Sequence, residues 1–181
     1  MRKHLRVGYL IAVLVLSGCG VERLSGEETS SRASAEVAPP VQVVDSCELL
    51  TDEQRGRLGV GPGRDVGSPL EGVKFCGWRS AVRNGDSFQA GTYPEQYRIA
   101  DVTQNYPNPK AATVSGRPAL STASDADFSD RSCMMFVELP DGRLGLVSYF
   151  WEGTPGQSTH EFACSRATTA LEMVLATIGS G

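Results

Sequence analysis

The clearest hydrophobic pattern lies in the last part of the chain. From Ala163 to Ile178, apolar side chains recur every three or four residues, which is the period of an α-helix with one apolar face. Ser158 and Glu161 fit a capping box before this run, and Gly179 follows it as a typical helix end. The pattern predicts a long C-terminal helix that buries one face.

Four upstream segments alternate between apolar and polar side chains, with the period of two that indicates β-strands. Asn84-Gly85 separates the first two segments, and Pro140-Asp141-Gly142 separates the last two. Both are turn sequences, so two antiparallel hairpins are predicted. The segments are 73–82, 87–93, 132–139 and 144–151. The last segment is partly apolar on both faces, which favours a central position in the sheet.

Weaker patterns complete the predicted domain. Residues 46–58 indicate one short helix or two joined turns, because Thr51 and Gln54 fit a capping box. Residues 95–104 have a poor helical pattern, and short strands are candidates near 113–114 and 119–122. Hairpins require an antiparallel sheet, and the terminal helix must bury its apolar face against it. We therefore expect an α+β fold, with an antiparallel sheet built from hairpins and packed by a short N-terminal helix and a long C-terminal helix.

The first 18 residues have the features of a secretory signal. Arg2, Lys3 and Arg6 precede an uncharged apolar run over residues 7–16. This run is about half the ~20 residues that a membrane-spanning helix needs. The following Leu16-Ser17-Gly18-Cys19 resembles a bacterial lipobox. The resemblance implies cleavage before Cys19 and attachment of acyl chains such as palmitate at that residue, so that the chain is a lipoprotein. The alternative is a plain secreted protein with a chance cysteine.

Three regions follow from this interpretation: a signal peptide at 1–18, a lipidated cysteine and tether at 19–44, and one domain at 45–181. The tether is rich in Ser, Glu and Ala and shows no hydrophobic period, which is typical of a disordered spacer. A segment that folds on a partner is the alternative. The mature chain has 14 basic against 21 acidic side chains, a net charge of −7. That balance argues against nucleic acid as a partner.

The cysteines predict a covalent framework. Apart from Cys19, the chain has Cys47, Cys76, Cys133 and Cys164, and an even number in an exported chain indicates two disulfides. Four cysteines allow three pairings. Pairing each with its sequence neighbour ties a helix to a strand twice, which favours Cys47 with Cys76 and Cys133 with Cys164. Free thiols or a zinc site are alternatives, although the spacing has no C-x-x-C.

Candidates for chemistry are few. His160 is the one histidine of the mature chain, and its place in the first turn of a helix favours an exposed capping residue. Asp125, Asp127 and Asp130 are weak calcium candidates, because hard oxygens suit that ion but the spacing departs from an EF-hand loop. No metal and no cofactor is expected. A carboxylate-based hydrolase is the remaining enzymatic alternative.

Three aromatic residues are candidates for a ligand pocket. Trp78, Tyr149 and Trp151 lie on predicted strands, where aromatic side chains line a pocket or pack in the core. Such a pocket would lie between the sheet and the C-terminal helix.

The order of short motifs resembles a known family. The motifs are Asp45-x-Cys47-x-Leu49-Leu50-Thr51, Cys76-x-Trp78, Gly116-x-Pro118-Ala119, and the two late cysteines. With the lipobox and tether, they are similar to actinobacterial lipoproteins of the domain-of-unknown-function 3558 family. The resemblance implies an anchored, exported protein with an α+β domain like the Mog1/PsbP folds. It supplies no catalytic residues.

These features together lead to a functional expectation. We expect a non-catalytic binding or interaction module, anchored through Cys19 to the outer face of the cytoplasmic membrane and facing the cell wall. Its partner would be an envelope protein, a lipid or a wall component. The alternative is a carrier of a small apolar ligand or lipid in a cavity between the sheet and the C-terminal helix.

Overall fold

Seven antiparallel strands form one sheet in the computed structural model, which describes residues 45–68, 70–82, 84–124 and 128–179. The spatial order is β1-β2-β3-β7-β6-β5-β4. The strands are β1 Arg64–Asp65, β2 Lys74–Arg79, β3 Asp86–Tyr93, β4 Lys110–Val114, β5 Arg117–Thr122, β6 Ser132–Glu138 and β7 Leu144–Trp151. The last predicted strand matches β7, which is central between β3 and β6 as expected.

The hairpins form where the turn residues predicted them. β2 pairs with β3 across Asn84-Gly85, and β6 pairs with β7 across Pro140-Asp141-Gly142. Asn84 has a φ of 60° and Gly142 a φ of 80°, values that favour asparagine and glycine over other residues. Pairing of β3 with β7 joins the two hairpins into one sheet. The two-residue strand β1 lies at the sheet edge, beside β2.

Helices cover both faces of the sheet. They are a 3-10 helix at Ser46–Glu48, α1 at Asp52–Leu58, α2 at Ile99–Asn105 and α3 at His160–Gly179. The predicted capping box of α1 is present: Gln54 N donates to Thr51 Oγ1 at 3.3 Å and Thr51 N donates to Gln54 Oε1 at 2.8 Å. The predicted cap of α3 is wrong by one residue, since Phe162 N donates to Thr159 Oγ1 rather than to Ser158.

The main core lies between α3 and the sheet. α3 buries Ala163, Ala167, Ala170, Leu171, Met173 and Val174. The sheet residues of the same buried cluster include Trp78, Phe88, Met135, Val147 and Tyr149. The N-terminal residues Leu49, Leu50 and Leu58 belong to the same cluster. Small alanines on the helix therefore face large aromatic residues on the sheet, which lets the helix axis approach closely. We call this sheet surface the α3 face.

A second, smaller core lies on the opposite surface, which we call the α2 face. Its buried residues are Val73, Tyr93, Val102, Phe136, Leu144 and Leu146. The sequence predicts packing roles for the N-terminal and C-terminal helices alone, because the helical pattern over 95–104 is poor. α2 nevertheless packs here through Val102, which is 1% exposed.

Two disulfides join helical segments to strands as predicted. Cys47 is bonded to Cys76 and Cys133 to Cys164. The bonds span 29 and 31 residues, and loops of this length stabilise the fold by about 3–4 kcal/mol each in the loop-entropy model. Among the described residues, no helix is both long and apolar enough to cross a membrane.

Two glycines provide a matched test of this packing. A methyl group added at Gly91 would lie 2.3 Å from Lys74 O and 2.5 Å from Phe75 Cδ1, whereas none of the atoms compared lies within 4 Å at Gly56 in α1. We expect Gly91→Ala to lower the free energy of unfolding by about 1–3 kcal/mol through overpacking. Gly56→Ala should raise it by about 0.5–1 kcal/mol. Urea denaturation measures both, and equal effects would contradict the packing of Phe75 across Gly91.

Candidate binding site

α2 covers part of the α2 face and leaves a cavity beside it. The cavity has a volume of about 280 Å³. Its lining residues come from the segment before β2, from β3, α2, β6 and β7: Leu70, Tyr93, Tyr97, Asp101, Val102, Asn105, Tyr106, Phe136 and Leu144. We call this space the α2 cavity. Four of its lining residues are aromatic, so its wall is largely apolar.

Ring contacts hold the aromatic walls in place. The Tyr93 ring centroid lies 5.4 Å from that of Tyr97, 6.4 Å from that of Phe136 and 5.7 Å from that of Phe75. Tyr106 lies 4.9 Å from Phe136. Tilted and edge-on arrangements at these distances are favourable for aromatic pairs. The cavity is therefore bounded by a connected set of rings rather than by isolated side chains.

The wall of the α2 cavity also contains polar groups: the hydroxyls of Tyr93 and Tyr106 and the side chains of Asp101 and Asn105. Burial raises the pKa of Tyr93 above its usual range, and a hydrogen bond with Tyr106 adds to this effect. The Tyr93 hydroxyl therefore stays neutral at ordinary pH. Asp101 Oδ2 accepts a hydrogen bond from Arg98 N at 2.8 Å, and Asn105 Nδ2 donates to Asp101 O at 2.9 Å. No lysine or arginine lines the cavity.

A larger groove lies at the other end of the sheet, beside β1 and β2. Its volume is about 470 Å³, and its lining includes Arg64, Asp65, Arg79, Ser87 and Gln89. Charges of both signs are exposed there, and exposed ion pairs contribute little binding energy. The α2 cavity combines apolar walls with a few polar groups, which is the usual composition of a ligand site.

The three predicted pocket residues do not share a cavity. Trp78 and Tyr149 are 0% and 1% exposed within the core on the α3 face, and Trp151 is half-buried at the end of β7. Trp78 contributes to the groove, whereas Tyr149 and Trp151 line none of the cavities described above. No residue of α3 lines either space. A cavity between the sheet and the C-terminal helix stays a prediction.

Tyr149 instead joins α3 to the sheet through a polar network. Its hydroxyl donates to Asp86 Oδ1 at 2.7 Å, and Arg166 of α3 donates to Asp86 Oδ2. Arg166 also donates to Leu58 O at 3.0 Å. Burial, followed by the hydrogen bond to Asp86, raises the pKa of Tyr149 above its usual range. These contacts satisfy half-buried charges and give the network a structural role.

The predicted metal candidates are only partly within the described residues. Asp125 and Asp127 lie outside them, so a calcium site in that loop stays a prediction. Asp130 is described, and its Oδ2 accepts a hydrogen bond from Gly156 N at 3.1 Å. Cys19 lies outside the described residues as well.

His160 differs from its predicted role as an exposed capping residue. It is half-buried, with Nδ1 3.0 Å from Ser132 O and Nε2 3.5 Å from the Sγ of Cys164. The spacing of residues in the sequence could not predict that His160 lies beside Cys164 and Cys133, because Cys133 belongs to a strand that is distant in the chain. Within the part of the chain that the structure describes, these three residues form the one cluster of at least three potential metal ligands.

The family resemblance indicated by the motif order can be compared with family models. A family model described as a protein of unknown function (DUF3558) matches residues 14–177. The chain belongs to the DUF3558 family. The resemblance seen in the motifs is thus confirmed for nearly the whole chain. No curated protein and no solved structure matches it, so the likeness to the Mog1/PsbP folds stays a prediction.

The residues that line the α2 cavity of this DUF3558 protein were only partly predictable from its sequence. Tyr93 and Phe136 occupy strand positions on the face opposite Trp78 and Tyr149. Aromatic residues on both faces of a strand indicate a second packed layer. That signal was available, but the tyrosines of the α2 region, Tyr97 and Tyr106, lie among prolines and have no regular period.

Tyr93 generates a prediction about alkaline stability. Because its pKa is raised in the folded state, the unfolded chain loses this proton first as pH rises through about 10. The stabilisation that comes from the raised pKa of Tyr93 should therefore be fully present below about pH 10 and decline above it. We expect Tyr93→Phe to lose less stability than the wild type between about pH 8 and about pH 11, measured by urea denaturation.

A variant without a titrating group serves as the control. Phe136→Leu removes packing in the same cluster and should lower stability by a similar amount at both pH values. An alkaline decline that is identical in Tyr93→Phe and the wild type would contradict the assigned burial of the phenol.

Proposed function

We propose that the chain is a lipid-anchored, non-catalytic binding module on the outer face of the cytoplasmic membrane, facing the cell wall. Its lipid anchor would be Cys19, and its binding site would be the α2 cavity. The aromatic lining of that cavity is the observation that carries the binding proposal. The resemblance of residues 16–19 to a lipobox supports the proposed localisation at the membrane.

The chemistry of the lining defines the ligand class. Pockets for drug-sized ligands have volumes of roughly 300–1,000 Å³, so a cavity of about 280 Å³ suits a single ring or a short branched chain. The absence of lysine and arginine among its lining residues disfavours an anionic ligand. Tyrosine hydroxyls provide hydrogen bonds at the edge of an otherwise apolar group. A small, uncharged, largely apolar ligand fits best.

The lining also supports a non-catalytic role. Asp101 is the only carboxylate in it, and one of its oxygens accepts the backbone N–H of Arg98. Hydrolysis of a glycoside by the usual route needs two carboxylates that face one another. The cavity therefore offers binding surface without the pair of groups that a carboxylate-based hydrolase would use.

A bulky residue at the cavity mouth tests the binding site. Leu70 is 38% exposed at the rim, so Leu70→Trp should obstruct entry without opening the core. With phenol as the probe, we expect ligand-detected NMR on the full chain to show at least tenfold weaker binding to this variant. Phe162→Trp is the control, because Phe162 is an exposed aromatic residue of α3 on the other side of the sheet. Equal binding to all three proteins would contradict the site.

The anchor has a separate test. Cys19→Ala removes the thiol that the lipobox resemblance identifies as the acylated group. We expect this variant to remain unprocessed or to leave the membrane fraction, as measured by cell fractionation and intact mass. Cys47→Ala is the matched control, because it also removes one cysteine but lies in the folded domain. Unchanged processing and membrane retention of Cys19→Ala would contradict lipid anchoring.

A further inference from the structure

One histidine lies against a disulfide at the N-terminal end of α3. His160 and Cys164 are four residues apart, which places them on one side of the first helical turn. Cys133 reaches the same point from β6. The potential ligand atoms of the three residues all lie within 4.8 Å of one another. This cluster is on the α3 face and is separate from the α2 cavity.

The histidine is oriented by a backbone contact. Its Nδ1 lies 3.0 Å from Ser132 O, and a carbonyl oxygen can only accept, so Nδ1 carries the proton. The neutral ring then has its lone pair on Nε2, which lies 3.5 Å from the Sγ of Cys164. Histidines that bind metals commonly donate their second nitrogen to a backbone carbonyl in this way. The ring is thus held with its acceptor nitrogen directed at the sulfur.

We propose that Cys133, Cys164 and His160 form a zinc site when their disulfide is reduced. A reducing dithiol would transfer two electrons and two protons to the disulfide, giving two thiols and leaving the reductant as a disulfide. Zinc would then replace the two thiol protons, which pass to solvent, and bind two thiolates and the Nε2 of His160. The disulfide and the zinc complex exclude each other, so metal capacity depends on the redox state.

The distances fit this ligand set. Tetrahedral zinc with bonds of about 2.3 Å to sulfur and about 2.0 Å to nitrogen separates S and N ligands by about 3.5 Å. The observed separation of Nε2 and the Sγ of Cys164 is 3.5 Å. The two sulfurs must move from 2.06 Å in the disulfide to about 3.8 Å, as two tetrahedral thiolates require. Rotation of the two cysteine side chains can supply this movement.

The partial solvent exposure of the proposed zinc site leaves one coordination position open for a fourth ligand. Cys133 is buried, whereas His160 and Cys164 are half-buried. The metal would therefore face solvent on one side. Three protein ligands with one open position are typical of zinc that exchanges a water or an external ligand, rather than of closed structural sites.

The other disulfide lacks these features. Among the described residues, no cluster of three potential ligands includes Cys47 or Cys76. Gly63 also closes over the bond, because a methyl group there would lie 2.5 Å from the Sγ of Cys76. The pair Cys47–Cys76 is therefore an internal control with the same chemistry and no imidazole.

The test uses the full chain with Cys19→Ser throughout, so that four cysteines remain. After reduction with a phosphine, Co²⁺ serves as the spectroscopic probe for Zn²⁺. We expect one equivalent of Co²⁺ to give thiolate-to-metal charge transfer and tetrahedral ligand-field bands that Zn²⁺ removes. The oxidised chain should give neither. His160→Ala should weaken binding at least tenfold, whereas Glu161→Gln, at the adjacent exposed position, should not.

Cysteine pairs identify the ligands independently of the histidine. Cys47→Ser/Cys76→Ser should keep the Co²⁺ spectrum, and Cys133→Ser/Cys164→Ser should abolish it. Circular dichroism follows folding in each sample, and recovery of structure on metal addition to a reduced, unfolded chain would support the site. The proposal is overturned if the reduced chain does not bind Co²⁺, if binding depends on Cys47 and Cys76, or if His160→Ala binds as tightly as the parent.

Discussion

The apolar stripe of α3 lies against the sheet, and the remaining structure depends on that contact. Burial of each leucine, valine or methionine side chain stabilises a fold by about 1.5–3 kcal/mol, and α3 buries Leu171, Met173 and Val174. Its alanines permit close approach, while Arg166 lies over the Phe88 ring and Phe162 contacts Tyr149. The same contact brings the first turn of α3 to β6. The Cys133–Cys164 bond and the position of His160 are consequences of this docking.

On the α2 face the constraint is different, because the helix packed there is too short to cover the sheet. A helix of seven residues such as α2 spans about 10 Å. Seven strands at a spacing of about 4.8 Å extend roughly 29 Å across the sheet. α2 therefore cannot cover its face, and aromatic side chains fill only part of the space beside it. The α2 cavity results from this mismatch between a wide sheet and a short helix.

The two disulfides illustrate how similar covalent bonds acquire different surroundings. Both tie a helical segment to a strand over a similar length of chain. Gly63 lies against the Sγ of Cys76, whereas an oriented imidazole lies against the Sγ of Cys164. Loop closure explains the stabilising role that they share. The proposed zinc chemistry depends on the neighbours of one bond and not on the bond itself.

Local patterns in the sequence determined the elements whose periodicity was strong. These include the extent of β7, the two hairpins with Asn84 and Gly142 in their turns, the capping of α1 and the amphipathic α3. Proximity along the chain also sufficed for both disulfide pairs, because each joins two cysteines with no other cysteine between them in the sequence. The order of short motifs was enough to recognise the DUF3558 family.

Tertiary structure alone decided the sites, because each is assembled from residues that are distant in sequence. Tyr93, Tyr106 and Phe136 come into contact only when β3 and β6 lie in one sheet beneath α2, and no local sequence pattern predicts that contact. Likewise, helical spacing relates His160 to Cys164, but the approach of Cys133 depends on how α3 docks. Aromatic residues on paired strands are more often core than pocket, and the sequence of Trp78 and Tyr149 left the pocket as the less favoured alternative. In the structure both lie in the core: Tyr149 contacts Phe162 of α3, and Trp78 lies against Gly63.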